Sequence, residues 1–355
     1  MIRIKLAILE SDKNYLEKIM TVFNSTFHDK LEVFSFTDKD TALNVLASSR
    51  IDVFIASEDF HIETDQLPGR CAFAYFTESN GLDTLYDQRT ICKFQKAELI
   101  YKEILSIFSE KSGGIIGYKK DGLGEVSILT FLSSSGGTGS STTAAACAMH
   151  LSKQGKKVLY LNIEQFGCAN LFFNAEGQYH LGDVLFAIKS KKSNLILKLE
   201  GTVKQDISGV YFYESCKLPL DVYEIKEEDI TKLLDELEIA GTYDYIVVDM
   251  NLSFHPVSLA IMKRSKGLVF VTDGTYIAGA KNERVFQSLE ILDNQNDWML
   301  MKKAHILYNR TNHTPDKQLN PREISTLGIV PYYQGTDHKQ IAKLISSMNL
   351  FEQLM

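Results

Sequence analysis

Apolar and polar positions along this chain recur with two periods, and the changes of period mark its elements. Ile4-Lys5-Leu6-Ala7-Ile8-Leu9 reads as a strand. From Tyr15 to Phe27, Leu16, Ile19, Met20 and Phe23 return at helical spacing, which predicts an amphipathic helix. Leu31 to Phe36 alternates apolar and polar residues and reads as a second strand, and Asp38 to Ser49 as a second helix with Asp38 as its N-cap. Asp52 to Ala56 is a buried strand, Ala72 to Phe76 a fourth and Thr90 to Cys92 a short fifth; a helix from Ala97 to Ser109 closes the block. This alternation predicts a five-stranded, doubly wound α/β domain over residues 1–110.

The stretch from Lys111 to Glu125 is rich in glycine and charge and reads as a linker. Strands then follow at Val126–Leu132, Lys157–Asn162, Val210–Tyr213, Tyr245–Asp249, Gly267–Thr272 and Ala304–Asn309, with helices between most of them. Residues 126–355 are therefore expected to form a larger, mainly parallel α/β domain. The fold class expected is α/β throughout: two doubly wound parallel-sheet domains, the first of flavodoxin-like winding.

Composition narrows the function classes. A length of 355 residues suits two domains, and a net charge of −7 argues against a nucleic-acid scaffold. The five cysteines are scattered without metal-ligand spacing, so they read as reduced thiols of a cytoplasmic protein. The N-terminus runs directly into the first strand pattern, unlike a signal peptide, and no apolar run reaches membrane-spanning length.

The chemistry concentrates after the strand Val126–Leu132. Ser135-Gly136-Gly137-Thr138-Gly139-Ser140-Ser141-Thr142 joins that strand to an Ala-rich helix. Strand, glycine loop and helix together let backbone N–H groups converge on an anion at a helix N-terminus. Ser141 stands where a hydroxyl would ligate Mg²⁺, and Thr142 where one would reach the α-phosphate. A plain Gly/Ser turn between strand and helix is the bland alternative.

The stretch resembles the deviant Walker A motif of the ParA/MinD family, K-G-G-x-G-K-[ST]-T, with Gly136, Gly137, Thr138, Gly139, Ser140, Ser141 and Thr142 as the nucleotide-binding positions. Two lysines of the pattern are absent. Ser135 stands at the lysine that, in the family, reaches across a dimer, and Ser140 at the lysine on the β- and γ-phosphates. Each charge-assisted contact is worth ~1.5–3 kcal/mol. Binding through backbone amides and Mg²⁺ survives such a loss, whereas transition-state charge is poorly neutralised. The resemblance implies a P-loop NTPase-like fold for the second domain. So modified, it implies ATP and Mg²⁺ as cofactors with slow or negligible hydrolysis, and Lys281 is a candidate replacement cation.

Downstream matches extend the resemblance. Glu164 stands at the acidic residue that positions the attacking water in the family, and Asn162 replaces an Asp. Gly167, Asn170 and Leu171 match the continuation. Tyr243-Asp244-Tyr245-Ile246-Val247-Val248-Asp249 resembles a Walker B strand, ending in a carboxylate that would hold Mg²⁺ through water. Glu164 and Asp249 are thus the catalytic candidates, Ser141 and Asp249 the metal candidates. Asn309 and Arg310 resemble the family's Asn-Arg strand end, where the Asn reads the adenine edge, and Pro331 the loop beside the base.

The first block looks like a response-regulator receiver, with Glu10, Asp12, Thr77 and Lys93 at expected places. Ser57 stands where the phosphorylated Asp should be, so phosphorelay is not expected and an interaction domain with relic polar residues is. A receiver-like domain before a ParA/MinD-like domain is similar to the TadZ/CpaE proteins of type IVb (Flp, Tad) pilus assembly. That resemblance implies an ATP-stabilised homodimer through the nucleotide domain, partners in the pilus machinery, and a polar position peripheral to the inner membrane through those partners. An active partition-type or signalling ATPase and a nucleotide-free scaffold are the alternatives. The amphipathic stretch Gln340 to Phe351 carries only Lys339 and Lys343 near it, so core docking is expected of it rather than lipid binding.

Overall fold

The computed structural model describes residues 3–79, 81–111, 126–190, 194–311, 320 and 322–355. Of the expected linker from 111 to 125, Lys111 ends a helix and residues 112–125 lie outside the described residues. The chain divides into two compact units: Met1–Tyr118 with Ser190–Thr202, and Lys119–Lys189 with Val203–Met355.

In the first unit, β1 (Ile4–Leu9), β2 (Leu31–Phe36), β3 (Val53–Ser57), β4 (Ala72–Thr77), β5 (Thr84–Leu85) and β6 (Gln88–Cys92) form one sheet in the order β2-β1-β3-β4-β6-β5. Pairing is parallel except at the β5–β6 hairpin. Alternate strand residues serve opposite faces. Leu6, Ile8, Val53, Ile55, Ala74 and Phe76 join one core with Leu16, Ile19 and Phe23 of α1 (Lys13–Thr26) and Ile100, Tyr101 and Ile104 of α3 (Ala97–Lys111). Ala7, Leu9, Phe54, Ala56 and Tyr75 join the other with Ala42 and Leu46 of α2 (Lys39–Ser48).

Two features depart from the expected five-stranded winding. The fifth strand begins earlier and pairs back on Thr84–Leu85 through Tyr86 and Asp87, both at positive φ (50° and 60°), the geometry of a type I′ turn. Between β3 and β4, and between β4 and β6, the described residues hold no α-helix, only a 3₁₀ turn at Thr64–Gln66. The division at 110–126 also omits a segment. Helix α6 (Leu195–Thr202), late in sequence, belongs to the first unit, where Leu197 enters the α1/α3 core and the buried Lys198 Nζ lies 3.2 Å from Ser106 Oγ.

In the second unit, the sheet runs β14-β13-β12-β7-β11-β8-β10-β9, built from β7 (Ser127–Leu132), β8 (Val158–Asn162), β9 (Lys204–Gln205), β10 (Tyr211–Phe212), β11 (Tyr245–Asp249), β12 (Gly267–Thr272), β13 (Ala304–Asn309) and β14 (Ser325–Val330). Only β9 is antiparallel, and α5 (Leu181–Ser190), α7 (Pro219–Tyr223), α8 (Glu227–Ala240) and α9 (Pro256–Arg264) come between β8 and β12 in the chain. Helix α4 (Ser140–Lys153) lies on this sheet with Ala144, Ala145, Ala146 and Ala148 fully buried; small side chains let it approach closely. On its other side α11 (His338–Ile345), Leu350, Phe351 and Leu354 complete the same core. The amphipathic C-terminal stretch is therefore core packing, as its charge sparsity predicts. No helix among the described residues is long and apolar enough to cross a membrane.

Candidate functional site

Sheet order decides what meets what. Strand β11 lies between β7 and β8, and all three run parallel, so their C-terminal ends open at one edge. The loop 133–139 leaves β7 there, and the β8–β11 register sets Asn162 directly beside Asp249.

The loop is bent by Gly137 (φ 75°) and Gly139 (φ 87°), the latter capping α4 in the left-handed region. A β-carbon on Gly139 would fall 2.3 Å from Asn309 Nδ2, so glycine is required twice over. Ser133 Oγ stands within hydrogen-bond reach of the Ser135 carbonyl (2.7 Å) and the Val271 carbonyl (2.9 Å), and Thr138 Oγ1 donates to it at 2.8 Å. Ser134 Oγ donates to Asn282 Oδ1 of α10 (Tyr276–Asn296) at 2.6 Å. By contrast, the buried Oγ atoms of Ser135 and Ser140, at the two lysine positions, have no hydrogen-bond partner among the described residues.

At the adjoining strand ends, Asp249 is fully buried. Its Oδ2 accepts from Tyr160 OH (2.7 Å) and Asn162 Nδ2 (2.8 Å), while Oδ1 has no partner among the described residues. Burial, and then the neighbouring Glu164 charge, push the Asp249 carboxyl up to about 7. Glu164 is also raised, chiefly by burial, with hydrogen bonding to Ser141 and Asn162 pulling the other way. Ser141 Oγ donates to Glu164 Oε2 at 3.2 Å, and Asn162 Oδ1 accepts from the Glu164 backbone N–H at 3.1 Å. Gly167 makes room for this: a β-carbon there would sit 1.9 Å from Asn162 Oδ1.

These residues fit Mg²⁺. A hydroxyl (Ser141) and a carboxylate with one unsatisfied buried oxygen (Asp249) form the sparse oxygen set this ion takes when phosphates and waters supply the rest. Two raised carboxyls close together also mark a place prepared for positive charge. Thr142 is buried in the first turn of α4.

On the far side, Asn309 Nδ2 donates to the Thr138 carbonyl (2.6 Å) and Arg310 Nη1 to the Gly137 carbonyl (2.6 Å). Both candidate base-side residues therefore grip the loop itself. Pro331, half-buried, follows β14, and Lys281 is exposed on α10 with no described contact to the loop. Tyr160 was not anticipated; it lies two residues before Asn162 on one strand, hence on the same face, which is the signal that could have found it.

In the first unit, Glu10 is buried, its Oε2 3.7 Å from Lys93 Nζ, and Glu78 pairs with the same ammonium at 2.9 Å. Asp12 instead caps α1, accepting from Asn14 N and Tyr15 N. Asp59, exposed, accepts at Oδ2 from Ser11 Oγ (2.5 Å) and Ser57 Oγ (3.2 Å), so a carboxylate two residues past the usual acceptor position is held by two serines.

Comparison with known proteins places both units. Residues 2–109 match the family model of the TadZ-like receiver domain. Over 129 residues the chain is 35% identical to an uncharacterized ATP-binding protein of Methanocaldococcus jannaschii, covering 34% of this chain and 43% of that protein. Over 159 residues it is 30% identical to the flagellum site-determining protein YlxH of Helicobacter pylori, covering 43% and 50%. The matched regions thus span half or less of those relatives' length. A ParA family ATPase from Chlorobium tepidum superposes with a TM-score of 0.52 at 19% identity, over 64% of this chain and 94% of that one, which shows a ParA-type fold.

Proposed function

We propose that this chain, a TadZ/CpaE-type protein by its TadZ-like receiver domain and ParA-type fold, is an ATP-holding localisation factor with slow or negligible hydrolysis. One observation carries the reading: around a glycine loop at a helix N-terminus, Ser135 Oγ, Ser140 Oγ and Asp249 Oδ1 are all buried and unsatisfied among the described residues. Leaving a buried polar atom unpaired costs roughly 1–3 kcal/mol, so three around one loop mark a site built for a polar ligand. The ATP-binding relative supports a nucleotide as that ligand.

Bound MgATP would be held by loop N–H groups, by the α4 N-terminus, and by Mg²⁺ through Ser141 and Asp249. Mg²⁺ supplies charge neutralisation that no loop lysine provides. Glu164 keeps the carboxylate for orienting water, yet nothing at position 135 or 140 can offset charge developing on the γ-phosphate.

A ring of exposed apolar side chains supports a homodimer across this edge. Phe166, Leu171, Phe254, Tyr276 and Ile277 all follow strands at the C-terminal edge that carries the loop. ATP between two such faces would make dimerisation nucleotide-dependent, and the dimer would recruit type IVb pilus machinery at the cell pole. The likeness to a flagellum site-determining protein supports placement of a surface appendage as the task. Light scattering tests it: MgATP is expected to double the mass in solution. An unchanged monomer at millimolar MgATP would remove the dimer from the account, and rapid turnover abolished by Asp249→Ala would favour an active partition-type ATPase.

A further inference from the structure

We infer that Arg310 is the cation of this phosphate loop, a positioning residue that acts through the loop's own backbone in place of the two absent lysines. The inference rests on the nucleotide reading above and deepens it.

Strand geometry makes the arrangement unusual. Successive side chains of an extended strand point to opposite faces, so Asn309, the last residue of β13, and Arg310, which follows it, would diverge if the strand continued. They do not, because Arg310 takes a left-handed backbone (φ 59°), uncommon for a long side chain and worth its cost only where something holds it. That turn brings both side chains to the loop, Asn309 Nδ2 on the Thr138 carbonyl and Arg310 Nη1 on the Gly137 carbonyl, each at 2.6 Å.

Pinning two successive carbonyls has a directional consequence. In a planar trans peptide the N–H points opposite to the C=O. Holding Gly137 O and Thr138 O toward Arg310 and Asn309 therefore turns the N–H groups of Thr138 and Gly139 the other way, as an anion-binding loop requires. The guanidinium adds more than shape. It is always protonated, and its bond to the Gly137 carbonyl polarises the same peptide whose N–H belongs to Thr138, strengthening that donor. The loop from Ser133 to Thr142 holds no lysine or arginine, and Glu164 and Asp249 beside it are acids. Arg310 is thus the positive charge that the described contacts bring to the loop. Asn309 has meanwhile spent an amide N–H on Thr138, so it serves the loop before any base.

The test is calorimetric titration of the full chain with MgATP, MgGTP and adenosine, for wild type, Arg310→Met and Arg310→Lys. R310M is expected to weaken MgATP by about tenfold, through the lost orientation of the loop N–H groups and the lost nearby charge. Its adenosine affinity and its ATP-over-GTP preference should stay as in wild type, and R310K should recover most of the MgATP affinity. A base-reading residue would give the opposite split: R310M would lose the preference for ATP over GTP and bind adenosine worse. That result, or MgATP binding by R310M equal to wild type, overturns the inference while leaving the nucleotide site standing. Should R310M fail to fold, R310K decides alone, since a tenfold loss with the charge retained contradicts a role for charge. A wild-type chain that binds no nucleotide would remove both readings together.

Discussion

Gly139 shows how closely single residues constrain the loop. Its φ of 87° disfavours any side chain, and a β-carbon would collide with Asn309 Nδ2. Gly139→Ala is expected to cost about 1–3 kcal/mol of stability and to abolish MgATP binding, as read by thermal melts with and without nucleotide; a normal nucleotide-induced rise in Tm would contradict this. Asp249 makes a pH prediction. Its carboxyl holds a proton more tightly in the folded chain than in the unfolded one, with a folded value near 7 against the ordinary 3.8. In metal-free protein the Asp249 contribution to stability should therefore be fully present below the unfolded value and be lost as pH rises from about 4 to about 7. Asp249→Asn should flatten that segment of the Tm-against-pH curve. A wild-type curve that is already flat there would mean that Asp249 stays ionised throughout. The raised carboxyl was not legible in sequence, because it depends on complete burial and on the Glu164 charge brought beside it, against the opposing hydrogen bonds from Tyr160 and Asn162, whereas the glycines and Asp249 could be read from their place after apolar strands.

At the scale of elements, α/β alternation carried most of both sheets, since strands buried on two faces leave unbroken apolar runs and α1 shows its stripe openly. The hairpin at Thr84–Cys92 escaped because its turn is Tyr86-Asp87, which lacks the glycine that usually announces a type I′ turn. Helix α6 escaped for a different reason: sequence proximity groups it with the nucleotide unit, whereas its apolar side, Leu197 foremost, is buried against α3 in the receiver-like unit. Gly201 permits that approach, a β-carbon there meeting the Lys102 carbonyl at 3.3 Å. Leu197→Ala is expected to cost roughly 2–5 kcal/mol, measured by urea unfolding. A loss below about 1 kcal/mol would place Leu197 at the surface.

For the whole molecule, the receiver-like unit keeps Lys93 ion-paired with Glu10 and Glu78 and seats Asp59 rather than a phosphorylatable Asp at Ser57. This suits a fixed interaction domain, and the nucleotide unit is left as the part that can change state. On the proposed reading, its missing loop charges would separate holding ATP from spending it. Returning the lysines, as Ser135→Lys with Ser140→Lys, should raise steady-state hydrolysis at least tenfold over wild type, and an unchanged rate would show that some other element limits turnover. The claim that ATP is held and not consumed is tested most directly by one measurement. The full chain is mixed with Mg²⁺ and γ-labelled ATP, separated from free nucleotide, and its bound label is followed over time as ATP or phosphate. The account predicts near-stoichiometric ATP that persists for many minutes; an empty protein, or bound ATP lost to phosphate within seconds, would contradict it.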